Sequence, residues 1–188
     1  MNDPSSRVSK LSKEKALLEK KLARGRVERR QALLQQAKTF YAIVGQGISH
    51  WSDVEERLIE VVACLLRTPE PKAGLVMYSI INFNVWLQLI DDLFVLDETY
   101  RSSLKQWRQI FEALRKEKDI RDRLAHHRLI QEGIEARLRP PVFDMRTKSQ
   151  KMQPLTAEEI LDFTERVTGI NRAISALLET MSRPQSLR

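Results

Sequence analysis

The sequence predicts an all-α protein, a bundle of four to five helices with a long basic N-terminal helix and a short hairpin or loop insertion before the last helix. Only 6 glycines and 7 prolines occur among 188 residues, which disfavours a fold with many tight turns. Apolar residues recur at intervals of three and four over long stretches. The single cysteine, Cys64, excludes an internal disulfide framework, and the polar N-terminus carries no apolar leader, so we expect a cytoplasmic location.

The positive charge is concentrated near the N-terminus. The net charge is +7, residues 1–38 hold 11 Lys/Arg and 4 Asp/Glu, and the rest of the chain is balanced. We therefore predict a basic helical arm over residues 1–45, a helical domain over 46–182 and a short tail over 183–188. The arm's helix is expected over 8–45, interrupted at Gly25. Such an arm could attract nucleic acid or an anionic surface, or be an ordinary solvated helix.

Two further helices are expected in the first half of the domain. Ser52 and Glu55 have the spacing of a capping box, which predicts a helix start there and an end before Pro69. The next segment, 73–96, contains 18 uncharged residues from Ala73 to Ile90. That length approaches a membrane span, but the polar residues within it favour a buried helix of the bundle. A membrane-anchored protein is the alternative that this segment leaves open.

In the second half of the domain, the residues that mark the ends of helices are easier to identify. Leu104, Trp107, Phe111 and Leu114 predict a fourth helix over 102–126, and the residues on either side of Gly133 predict a hairpin within 128–141. A polar loop should follow as far as Gln153. Thr156 and Glu159 form a second capping box, which opens a last helix with the longest apolar stripe in the chain: Ile160, Phe163, Val167, Ile170, Ile174 and Leu177.

Few kinds of chemistry fit the remaining polar residues. The chain has three histidines, no glycine-rich phosphate loop and no cysteine pair for zinc. Asp122 and His126 are four residues apart and could share a metal with Asp91 or Asp92, but two ligands at helical spacing are a weak signal. We therefore expect neither a metal nor a cofactor.

The remaining constellation is Arg121-Asp122-Arg123-Leu124-Ala125-His126, late in the fourth helix. It resembles the signature of the HEPN superfamily, and residues 50–180 have a matching order of helices. The resemblance implies a helical bundle that dimerises around the motif and, in many members, a metal-independent endoribonuclease of a toxin or defence system. His126 would then transfer a proton, Arg121 would stabilise charge on the phosphate, and Asp122 would orient its neighbours. The implied partners are a second copy, RNA, and an antitoxin or regulatory protein, with no membrane.

Two departures from the family pattern bear on this hypothesis. Asp122 stands where asparagine is commoner, and a carboxylate beside a phosphate is unfavourable unless Arg121, Arg123 or Arg128 pairs with it. His127 stands where a small residue is frequent; it could assist catalysis or begin the following strand. The alternative is a non-catalytic dimerisation or interaction module, in which Arg121 and Asp122 form an interface ion pair and His126 caps the helix.

Overall fold

The computed structural model describes residues 4–132, 135–140 and 153–182, and most of them are helical. The all-α prediction is therefore confirmed. The chain divides into two units, Met1–Tyr41 and Ala42–Arg188. Helix α1 (Pro4–Leu66) accounts for the first unit from Pro4 onwards, and its later residues are the first helix of the second unit.

The two helices predicted between residues 8 and 69 are one. Helix α1 continues through Gly25 and through Ser52, so the predicted helix start at Ser52 is wrong. The Ser52 hydroxyl donates to the carbonyl of Ile48 one turn earlier, as a serine inside a helix does. Glu55 instead accepts a hydrogen bond from the Trp51 indole. The helix ends at Leu66, and Arg67 follows with a positive φ of 48°.

The apolar segment 73–96, predicted as one helix, forms two. Helix α2 (Glu70–Tyr78) and helix α3 (Phe83–Leu96) are separated by four residues. Asn82 ends this connection, because its side chain accepts the backbone N–H of Asn84 and so caps α3. None of the helices in the described ranges combines the length and the apolarity that a membrane span requires.

The fourth helix and the hairpin agree with the prediction. A 3₁₀ helix, Glu98–Ser103, leads into α4 (Leu104–His126). Strands β1 (Arg128–Glu132) and β2 (Glu135–Arg139) then pair antiparallel. Leu138 is buried and bridges to Leu155, which ties the hairpin to the start of the last helix. Gly133 and most of the predicted polar loop, 141–152, lie outside the described residues.

Helix α5 (Ala157–Ser182) begins at the predicted capping box. The Glu159 amide donates to the Thr156 hydroxyl oxygen, while the Glu159 carboxylate accepts the Thr156 amide at 2.8 Å. The helix packs against α4, and every member of its predicted stripe is buried. The aromatic residues Phe83, Trp86, Phe94 and Trp107 are also buried.

Candidate functional site

Arg121 lies on α4 within reach of two carboxylates. Its guanidinium donates to Glu55 Oε1 at 3.0 Å and to Asp122 Oδ1 at 3.2 Å. The arginine projects toward the apolar side of α4, where an unpaired guanidinium would be costly. Two carboxylates supply the pairing, Asp122 on the same helix and Glu55 from α1.

Glu55 is the site residue that sequence reasoning missed. The buried Trp51 donates its indole N–H to Glu55 Oε1 at 2.8 Å, one turn earlier on α1. The carboxylate is thus held from its own helix and presented to α4, with its side chain only 17% exposed. The spacing of Ser52 and Glu55 indicated a capping box instead, so the pairing of Glu55 with Arg121 was not predicted.

Asp122 is paired on both sides. One carboxylate oxygen accepts from Arg121, and the other accepts from the ammonium group of Lys118, one turn back on α4. The expectation that an arginine must neutralise this carboxylate is met by Arg121. Lys118 is a second cation that the motif did not include, and its spacing of four residues from Asp122 is a signal that the sequence contained.

His126 occupies the last turn of α4 with an exposed side chain. Among the described residues, its imidazole makes no hydrogen bond. His127 ends the helix: its backbone is extended, and its amide donates to the carbonyl of Arg123. Strand β1 starts at the next residue, so His127 joins the helix to the hairpin.

Four of these residues on α4 and Glu55 on α1 line one pocket of about 630 Å³. One side, which we call the charged wall, consists of Lys118, Arg121, Asp122 and His126 on α4, with Glu55 of α1 beside them. The rest of the lining, which we call the uncharged wall, comes from the end of α2, the α2–α3 connection and the start of α3: Tyr78, Ile80, Ile81, Asn82, Phe83, Asn84 and Trp86. The structure therefore brings all three predicted site residues into one cavity.

The hairpin adds positive charge next to the end of α4. The antiparallel register places Arg128 opposite Arg139, and Ile130 opposite Arg137. Because side chains alternate along a strand, all three arginines lie on one face of the hairpin, while Leu129 and Leu138 lie on the other.

The alternative of a metal ligated by Asp122 and His126 finds no third ligand in the described ranges. No group of three or more histidine, cysteine or acidic side chains there could hold a metal ion. Asp91 instead accepts from Arg108 at 3.4 Å, and Asp92 accepts from Gln88.

No protein-family model, curated protein or solved structure matches the chain. A function must therefore be inferred from the residues of the pocket.

Proposed function

We propose that this chain is a HEPN-like, metal-independent endoribonuclease that acts on RNA as a homodimer. The observation that carries the proposal is the exposed His126 imidazole, which shares a pocket with the Arg121 guanidinium. A proton-transfer group and a fixed, planar cation are what the cleavage of a phosphodiester requires beside the scissile bond.

The chemistry assigns a role to each group. The ribose 2′-oxygen attacks the neighbouring phosphorus, and its proton passes to a base. The bond from phosphorus to the 5′-oxygen then breaks, and that oxygen takes a proton from an acid. Imidazole can perform either proton transfer near neutral pH. The Arg121 guanidinium, with Lys118 nearby, offsets the charge that builds on the phosphorane oxygens.

One histidine cannot readily serve as base and acid in the same step. Since His50 and His127 do not line the pocket, the second histidine must come from elsewhere. A two-fold axis close to the pocket would bring in the His126 of a second copy. We therefore propose a site shared between two protomers, which agrees with the dimers that the HEPN resemblance implies.

Asp122 and Glu55 act on Arg121 rather than on the substrate. The two carboxylates fix the guanidinium from different directions, and Lys118 and Arg121 compensate the charge of Asp122. Arg128, exposed at the start of β1, supplies a further attraction for the RNA backbone.

One observation favours a second candidate, a non-catalytic interaction module. The Arg121 guanidinium already donates to both Glu55 and Asp122, as it would in a purely structural ion-pair network. In that case His126 would matter for assembly and not for RNA cleavage.

A comparison of histidine variants separates the two functions. His126→Ala should lower the cleavage of mixed RNA by about 100-fold or more if the imidazole transfers a proton. His50→Ala is the matched control, because His50 contacts Thr168 on α5 and lies outside the pocket. Light scattering after size exclusion reports the oligomeric state of each variant. Two results together would favour the interaction module. The wild type would cleave no RNA in a broad panel, and the only effect of His126→Ala would be a lower dimer fraction.

A further inference from the structure

The uncharged wall of the pocket exposes large apolar residues. Tyr78, whose ring contacts Trp86, is still 62% exposed, and Ile81 is fully exposed. Exposed apolar groups around a concave site are a mark of ligand binding. Neither is accounted for by the proton transfers at His126 or by the cation at Arg121.

The same wall is held in place by local hydrogen bonds. Trp86 donates its indole N–H to the carbonyl of Ile80 at 2.8 Å, and the Ser79 hydroxyl donates to the carbonyl of Leu75. The capping contact of Asn82 fixes the last residue of the connection. A wall that is already ordered loses little conformational entropy when a ligand binds.

Two groups of the wall are suited to a flat heteroaromatic ring. The Tyr78 ring meets Trp86 edge-on, with centroids 5.5 Å apart and planes at 70°, and more than half of the tyrosine surface remains exposed. Asn84 is exposed at the start of α3, and a carboxamide offers a donor and an acceptor side by side. Such a pair matches the edge of a nucleobase, as asparagine does when it reads adenine.

The division of charge in the pocket matches the division within a nucleotide. The charged side chains, Lys118 and Arg121 with their partners Glu55 and Asp122, belong to α4 and α1, whereas the residues of the uncharged wall carry no charge. A nucleotide has an anionic phosphate at one end and a neutral aromatic base at the other. The volume of about 630 Å³ lies in the range of ordinary small-molecule pockets, so one nucleotide of a longer strand can enter.

We infer that the uncharged wall recognises the base of a bound nucleotide. Tyr78 and Ile81 cover one nucleobase of a single-stranded RNA, and the Asn84 carboxamide reads its edge, while the adjacent phosphate lies against Lys118 and Arg121. The inference rests on the proposed function for the identity of the ligand, but the binding it describes does not depend on cleavage.

Binding of a 2′-O-methyl oligonucleotide tests the inference, because such a strand cannot be cleaved by attack of its own 2′-oxygen. Fluorescence anisotropy would give the affinity of the full chain for oligo(A), oligo(C), oligo(G) and oligo(U). Tyr78→Ala should weaken binding to all four by roughly tenfold, since stacking tolerates any base. Tyr78→Phe should retain binding. Asn84→Ala should reduce the preference that the wild type shows among the four bases.

Two exposed residues outside the pocket serve as matched controls. Leu75→Ala removes an apolar side chain that is 75% exposed on α2, and Gln88→Ala removes a carboxamide one turn beyond Asn84 on α3. Both should bind like the wild type. The inference is overturned if Tyr78→Ala binds as tightly as Leu75→Ala. Equal binding of the four strands by both the wild type and Asn84→Ala would overturn it too.

The remaining outcomes separate this inference from its rivals. Binding that depends on Tyr78, in a wild-type chain that cleaves no RNA, would support the wall and contradict the ribonuclease. If the wild type cleaves RNA and Tyr78→Ala binds the oligonucleotides as tightly as the wild type, the result would support the ribonuclease and contradict the wall. If Ile81→Ser dissociates the dimer and leaves oligonucleotide binding unchanged, the wall is a protein contact and the inference is wrong.

Discussion

The contribution of the Glu55–Arg121 contact to the free energy of unfolding can be measured by removing one charge. Glu55→Gln removes the carboxylate that faces Arg121 but keeps an oxygen that can accept the Trp51 indole N–H. The side chains of Arg121 and Glu55 are 34% and 17% exposed, so water screens the pair only in part. Hydrogen bonds to charged groups contribute about 1.5–3 kcal/mol, whereas exposed ion pairs contribute about 0.2–1 kcal/mol. We therefore expect a contribution of about 1 kcal/mol to the free energy of unfolding, or about 2–4 °C in Tm.

A double-mutant cycle isolates that energy. The cycle compares the wild type, Glu55→Gln, Arg121→Gln and the double variant by urea unfolding followed by circular dichroism. The control cycle uses Glu112 and Arg115, an exposed pair on α4 at 3.2 Å whose side chains are 59% and 57% exposed. A coupling energy for Glu55 and Arg121 no larger than that of the control pair would refute the argument that Glu55 positions the guanidinium.

Three further outcomes are expected. Arg67→Gly should be more stable than Arg67→Ala by about 1 kcal/mol in urea unfolding, because both lose the contact with Asp97 but only glycine accepts a φ of 48° without cost. Thr156→Ala should cost about 1 kcal/mol in the same measurement, whereas Thr156→Ser should cost much less, because serine keeps the hydroxyl that caps α5. Deleting residues 1–30 should lower RNA affinity and flatten its salt dependence, since that segment carries most of the excess positive charge; an unchanged slope in anisotropy titrations would assign the arm another role.

The parts of the fold that the sequence predicted well depend on short-range physics. The last helix and its cap at Thr156 require only that a hydroxyl and a carboxylate three residues apart meet free backbone amides. The same spacing at Ser52 led to a wrong prediction of a helix start, because the backbone amides there are already bonded within α1.

The glycine at 47 does not end the helix either. A Cβ there would lie 3.2 Å from Leu124 Cδ1 and 3.4 Å from Ile160 Cγ2, so the residue permits close helix packing.

The candidate site shows a similar limit. The position of Arg121 on the apolar side of α4 indicates either a nearby anion or an interface. The four-residue spacing of Lys118 and Asp122 is a signal for the contact they make, but that contact was not predicted. The identity of that anion, Glu55, follows only from the packing of α1 against α4, which joins residues 66 positions apart. The uncharged wall depends on the break between α2 and α3. The polar residue at its end, Asn82, was visible in the sequence, but not its action as a cap.

The most direct test of the account is the chemistry of the RNA ends that the chain produces in excess EDTA. Attack by the ribose 2′-oxygen predicts a 2′,3′-cyclic phosphate and a 5′-hydroxyl, formed by the wild type with EDTA present. His126→Ala, shown to be folded by circular dichroism, should form these ends about 100-fold more slowly or not at all. Cleavage that stops with EDTA, products that carry a 3′-hydroxyl and a 5′-phosphate, or full activity in His126→Ala would each contradict a metal-independent ribonuclease centred on this histidine.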